Sequence, residues 1–186
     1  MKKRQPLFSK RVLRNLMQVE RELGVKVPDL AVKRIEHWRD QLQRGVLDRV
    51  SESSAEQTFN SEIFGTVLGY EQIGVAIEAS LMPKRTGASG RDTPDFVLGR
   101  FDLTVGIEEW CAVGEIKNAA TDLDQPQMGR ANKETPVEQG FRYATKGKAG
   151  VEWIIVTNFR EIRLYRNGYV NAYHSWDFEE LAQPTK

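Results

Sequence analysis

Hydrophobic residues recur along this chain with two different periods, and the change from one to the other divides it. Leu13, Leu16, Met17 and Val19, with Leu23 closing, trace a helical stripe that Gly24 ends. After the Pro28-Asp29 turn, Leu30, Ile35, Trp38, Leu42 and Leu47 recur at near-helical spacing and predict a second helix. The serines of Ser51–Ser54 can cap a third, which the pattern carries through AEQTFNSEIFGTVLG to Gly69.

Beyond Gly69 the period shortens. EQIGVAIEASLM, DFVLGRF and EEWCAVGEIK alternate or run apolar in short pieces and predict three strands. TGASGRDTP, between the first two, reads as a turn or loop. TPVEQGFRYATKGK places a proline in a first helical turn and ends in glycine, which predicts a helix. VEWIIVTNF and EIRLYRNGYVNAYHSW supply three more strands, with Asn167-Gly168 as a hairpin signal, and DFEELAQ a short closing helix. Helices, three strands, a helix and three strands make an α/β arrangement, a mixed sheet flanked by helices. A crossover helix between WCAVGEIK and VEWIIVTNF allows a parallel central pair.

Bulk composition narrows the classes. The chain has 186 residues, 40% hydrophobic and 28% charged, enough for one well-formed core. A net charge of +1 gives no global basic field, so nucleic-acid binding would rest on local patches. Such patches are Arg142, Lys146 and Lys148, and Lys84, Arg85 and Arg91. One cysteine, Cys111, excludes an intrachain disulfide and a cysteine-based zinc cluster. Its mid-strand place predicts a small buried hydrophobe and suits a reducing, cytoplasmic setting. No apolar run approaches the roughly 18–20 residues of a membrane span. Trp110, Trp153 and Trp176 fall on strands or their ends and are read as core or edge packing.

Three charged residues break the apolar strands. Asp95 opens one, and Glu115 and Lys117 close the other, where burial costs several kcal/mol without compensation. Side chains alternate along a strand, so Glu115 and Lys117 share a face and Ile116 takes the other. An antiparallel hairpin through the short LTVGIEE link sets the start of the first strand beside the end of the second, gathering all three at one sheet end. Two carboxylates, with a backbone carbonyl such as that of Ile116, are hard oxygen ligands for Mg²⁺. Such an ion activates water and offsets charge on a phosphodiester, and Lys117 can orient that water. On the preceding helix Glu56 is three, seven and eleven positions from Phe59, Ile63 and Val67, on the core-facing stripe. Glu62 lies off that stripe and is expected to face solvent. Gln139 and Tyr143, four apart, project together from the helix after the E-I-K strand.

Pro94-Asp95, followed twenty residues after the aspartate by Glu115-Ile116-Lys117, resembles the PD-(D/E)XK nuclease motif shared by many restriction endonucleases. Glu56 matches the first-helix glutamate common in that family. QGFRY resembles the Q-x-x-x-Y motif of one subset, which includes type I restriction motor subunits and single-chain restriction-modification enzymes. From about Glu56 to the closing helix, IFGTVLGY, PDFVLGRF, AVGEIKNAATDLD, TPVEQGFRYA and IIVTNFREIRLYR look like the N-terminal nuclease segment of those single-chain enzymes. The resemblance implies a restriction-endonuclease-like core over residues 51–186 behind an N-terminal helical extension, residues 1–50.

It also implies a Mg²⁺-dependent endonuclease, with Mn²⁺ able to substitute, acting on double-stranded DNA in a restriction-modification or related phage-defence system. Asp95 and Glu115 would hold the metal with the Ile116 carbonyl, and Glu56 would assist directly or through water. Lys117 would position the attacking water, and Gln139 and Tyr143 would support the site or the DNA backbone. No methyl-donor glycine loop, N-P-P-Y-type motif or Walker A motif occurs in the chain. It is therefore expected to be a nuclease module, a fragment or separate subunit that works with a methyltransferase or target-recognition partner. The alternatives are a non-catalytic DNA-binding or assembly module that keeps the nuclease fold, and a plain α/β protein with an ion-pair cluster.

Overall fold

A computed structural model describes residues 6–84, 93–127 and 133–181. Six strands form one mixed sheet whose spatial order follows the chain, β1-β2-β3-β4-β5-β6. They are β1 Ala79–Pro83, β2 Phe96–Asp102, β3 Ile107–Ile116, β4 Trp153–Thr157, β5 Glu161–Arg166 and β6 Tyr173–Asp177. Every neighbouring pair is antiparallel except β3 and β4, which run parallel and are joined through α4, Pro136–Lys146. The crossover predicted from the sequence is present.

Helices cover both faces. On one lie α2 Asp29–Gln43, α3 Glu52–Phe59 and the short α5 Phe178–Leu181. Trp38, Leu42, Leu47, Phe59 and Phe178 pack there against Leu81, Leu98, Ala112, Ile116 and Ile155 of the sheet. On the other face α4 sets Val137, Tyr143 and Ala144 against Val113, Ile154 and Val156. A capping box locks the start of α4: Glu138 donates its N–H to the Thr135 hydroxyl, and the Glu138 carboxylate accepts from the Thr135 N–H. Gly140 then lets the helix lie close to the sheet, since a Cβ there would sit 2.8 Å from Ile154 Cγ2.

Several predicted elements differ in detail. The third helix is not α-helical to Gly69; at Asn60 it widens into a π-helix, Asn60–Val67. That change of period rotates the later side chains, so Ile63 and Phe64 are both buried and Val67 only partly. Glu62 does not face solvent: its carboxylate accepts from Trp38 Nε1 and Arg34 Nη1, each at 2.8 Å. The buried indole of Trp38 needs such an acceptor. Only Ala79–Pro83 of the first predicted strand pairs as one, because Gly74 at φ +91° turns the chain before it. The β5–β6 hairpin forms, but its loop takes residues 167–172 rather than two residues. The first helix, α1 Lys10–Glu22, forms as predicted yet buries none of its residues. The TGASGRDTP loop, with Arg85 and Arg91, lies mostly outside the described residues.

A β-bulge corrects one further expectation. Leu98 pairs with Ala112 while Gly99 pairs with Trp110, so Cys111 is the extra residue in β3. Cys111 is exposed, not buried. The skipped residue also reverses the side-chain alternation upstream, so Trp110 leaves the face of Ala112 and Ile116 for that of Val113 and Val97.

Candidate functional site

The strand register brings the charged residues together as the sequence suggests. Phe96 pairs with Gly114, and the Asp95 N–H donates to the Gly114 carbonyl at 2.9 Å, which sets Asp95 beside Glu115. Gly114 is needed for that closeness, since a Cβ there would overlap the Phe96 ring at 2.0 Å. Asp95, Glu115 and Lys117 are 4%, 0% and 3% exposed. Such burial of three ionisable groups requires mutual compensation or a ligand.

Part of that compensation is internal. Asp95 Oδ2 accepts from the Ile116 N–H at 2.8 Å, and Asp95 Oδ1 stands 3.4 Å from Lys84 Nζ. The Lys117 ammonium donates to Glu115 Oε1 and, at 2.9 Å, to the Ile116 carbonyl. Glu52 Oε2 lies 3.6 Å from the same ammonium. Glu115 Oε2, by contrast, is fully buried with no hydrogen-bond partner.

Two carboxyls of the cluster do not ionise at their usual values. Burial, then the negative charge of Asp95, pushes the Glu115 carboxyl up to about 8, against the pull of Lys117. Burial, then Asp95, raises Glu56 to about 7. Glu56 is therefore electrostatically part of the cluster, as its place on the core-facing stripe suggested. Across the site, Gln139 Nε2 donates to the Tyr143 hydroxyl, both side chains being buried. Burial, then neighbouring Glu115, raises the Tyr143 phenol far above its ordinary value, so it remains a neutral hydroxyl.

The chain matches no family model, no curated protein and no solved structure.

Among the described residues, no three His, Cys, Asp or Glu side chains form a group that could hold a cation by themselves. A cation here would draw on Asp95, Glu115, the Ile116 carbonyl and water, a donor set that suits Mg²⁺ better than Zn²⁺. The unpartnered Glu115 Oε2 fits such an ion, which would give that oxygen its missing partner. The Ile116 carbonyl and Glu115 Oε1 are engaged by Lys117, so the ammonium and a divalent ion compete for the same oxygens.

Glu52 is the residue that sequence reasoning missed. It precedes Glu56 by one helical turn on α3, and that spacing was the available signal. Of the basic residues proposed for phosphate, Lys84 faces Asp95, Arg142 pairs with Glu134 at 3.1 Å, and Lys148 pairs with Glu108 at 2.9 Å.

Proposed function

We propose that this chain is a Mg²⁺-dependent DNA endonuclease module with a restriction-endonuclease-like core, of the kind found in restriction-modification or related phage-defence systems. The observation that carries the reading is Glu115: a buried carboxyl beside Asp95, with one oxygen lacking any partner and Lys117 against the other. A structural ion pair has no use for the bare oxygen, whereas a metal-dependent hydrolase does.

Asp95, Glu115 and the Ile116 carbonyl would hold the ion, with Glu56 assisting. When bound, Mg²⁺ supplies Lewis-acid activation of water and neutralises charge on the phosphodiester. The chain's own residues do the rest. Lys117 would yield Glu115 and the Ile116 carbonyl to the ion and keep Glu52, 3.6 Å away, where its ammonium can orient a water or stabilise charge developing on phosphate oxygens. Glu56, raised to about 7, can take or hold a proton near neutral pH. The Gln139–Tyr143 pair stays neutral and walls the site from the α4 side, offering a hydroxyl near Glu115. Lys84 beside Asp95 can meet a phosphate of the DNA strand. A methyltransferase or target-recognition partner would supply the sequence specificity for which this chain shows no motif.

One observation favours a second reading, a non-catalytic module that keeps the fold: Lys117 already engages Glu115 without any metal. Supercoiled plasmid incubated with Mg²⁺ or Mn²⁺ separates the two. Wild type is expected to nick it, with Asp95→Ala and Lys117→Ala each reducing the rate by about 10²-fold or more. Equal nicking by all three proteins would mark a contaminant, and no nicking by wild type would favour the binding module.

A further inference from the structure

A small cavity of about 190 Å³ opens beside the carboxylates, lined by Met82, Lys84, Pro94, Val97, Glu108 and Trp110 among others. Lys84 belongs to both places, since its ammonium also stands 3.4 Å from Asp95 Oδ1. Pro94 immediately precedes that aspartate. Trp110 reaches the cavity because the bulge at Cys111 turns it to this face.

The indole is held in place. Its Nε1 donates to Glu108 Oε1 at 3.1 Å, Glu108 in turn pairs with Lys148, and Lys148 Nζ lies 5.9 Å from the ring centroid. Met82 and Val97 pack in the same small apolar cluster. The result is a small, mostly apolar slot with a fixed aromatic wall and the Lys84 ammonium at its margin. It has room for one planar heterocycle but not for a base pair.

We propose that this slot receives an unstacked nucleobase of the strand whose phosphate lies at Asp95, so that the enzyme engages its substrate single-stranded or locally unpaired. This rests on the nuclease reading and names the substrate form for the same site. Two physical arguments support it. With a net charge of +1, phosphate contacts alone give the chain little affinity, and stacking is the sequence-tolerant alternative. A base adjoining the reacting phosphate also fixes the backbone on both sides of the bond to be broken, which orients it.

The test compares the binding of two labelled oligomers of equal length by fluorescence anisotropy in EDTA: oligothymidylate and its abasic counterpart, which has the same phosphates. Wild type is expected to prefer oligothymidylate by about tenfold. Trp110→Phe keeps that preference, and Trp110→Leu removes it. Should Trp110→Leu fail to fold, Thr93→Tyr, which fills the cavity from its rim, removes the preference in its place. Equal binding of the two oligomers by wild type, or an undiminished preference in Trp110→Leu or Thr93→Tyr, overturns the slot. Plasmid nicking in parallel keeps the readings apart. Nicking lost in Asp95→Ala without a base preference removes the slot and leaves the nuclease. A base preference without nicking keeps the slot and removes the nuclease.

Discussion

Glu115 sets the electrostatic character of the site, and its effect on the protein is readable as a function of pH. With the native carboxyl near 8 and the ordinary value at 4.5, the folded protein keeps a proton that the unfolded chain releases. The stability this provides is complete below pH 4.5 and is lost as pH climbs through about 8. Glu56 acts in the same sense up to about 7. In metal-free buffer the melting temperature should therefore fall as pH rises across this range. Glu115→Gln should flatten the fall, matching wild type at acidic pH and exceeding it above pH 8; an unchanged slope would mean Glu115 is ordinarily ionised. Asp95, Glu115 and Lys117 were legible in the sequence because charge at the ends of apolar strands is conspicuous. Glu52 was not, since its role depends on where Lys117 points. Glu62 was misread because a carboxylate off the apolar stripe gives no sign of a buried indole on another helix.

At the level of elements, the approach of α4 to the sheet couples the Gln139–Tyr143 pair to Glu115. Gly140 lies between those two residues and faces Ile154 and Val156. Gly140→Ala should push the helix outward and cost about 1–3 kcal/mol, despite alanine's better helix propensity. Chemical denaturation measures that loss, and a stabilised variant would show that the helix can shift freely. Strand number, the β2–β3 and β5–β6 hairpins and the parallel crossover followed from apolar periodicity together with turn residues. The switch to a π-helix at Asn60 and the bulge at Cys111 did not, because each is a one-residue change of period set by tertiary packing. The bulge matters for the cavity beside the site, because it delivers Trp110.

For the whole molecule, divalent binding should appear as stability. An ion that binds only the folded state adds about 2.7 kcal/mol at a hundred times its Kd. For a chain of this size each kcal/mol raises Tm by about 2–4 °C. Mg²⁺ should thus raise the melting temperature of wild type but not of Asp95→Ala; equal shifts in both would place the ion elsewhere. Among the described residues no helix is long and apolar enough to cross a membrane. The first helix shows the limit of pattern reading at this scale. Its stripe predicts a helix correctly but cannot say what covers it, and Val12, Leu16, Met17, Val19 and Leu23 remain exposed.

The order of the sheet has a consequence for how the protein folds. Because spatial order follows chain order, β1-β2-β3 and β4-β5-β6 are two meanders built from short-range hairpins. Within the sheet they pair along the β3–β4 seam, where Ala112 meets Trp153 across about forty residues of chain. Closing that long loop is entropically the slowest step, so each meander is favoured to form before the seam does. Asp95 and Glu115 belong to the first meander, but Lys117 is fixed by the second, through its N–H to the Thr157 carbonyl. The charges are thus confined together last, when most of the apolar core is already in place to hold them.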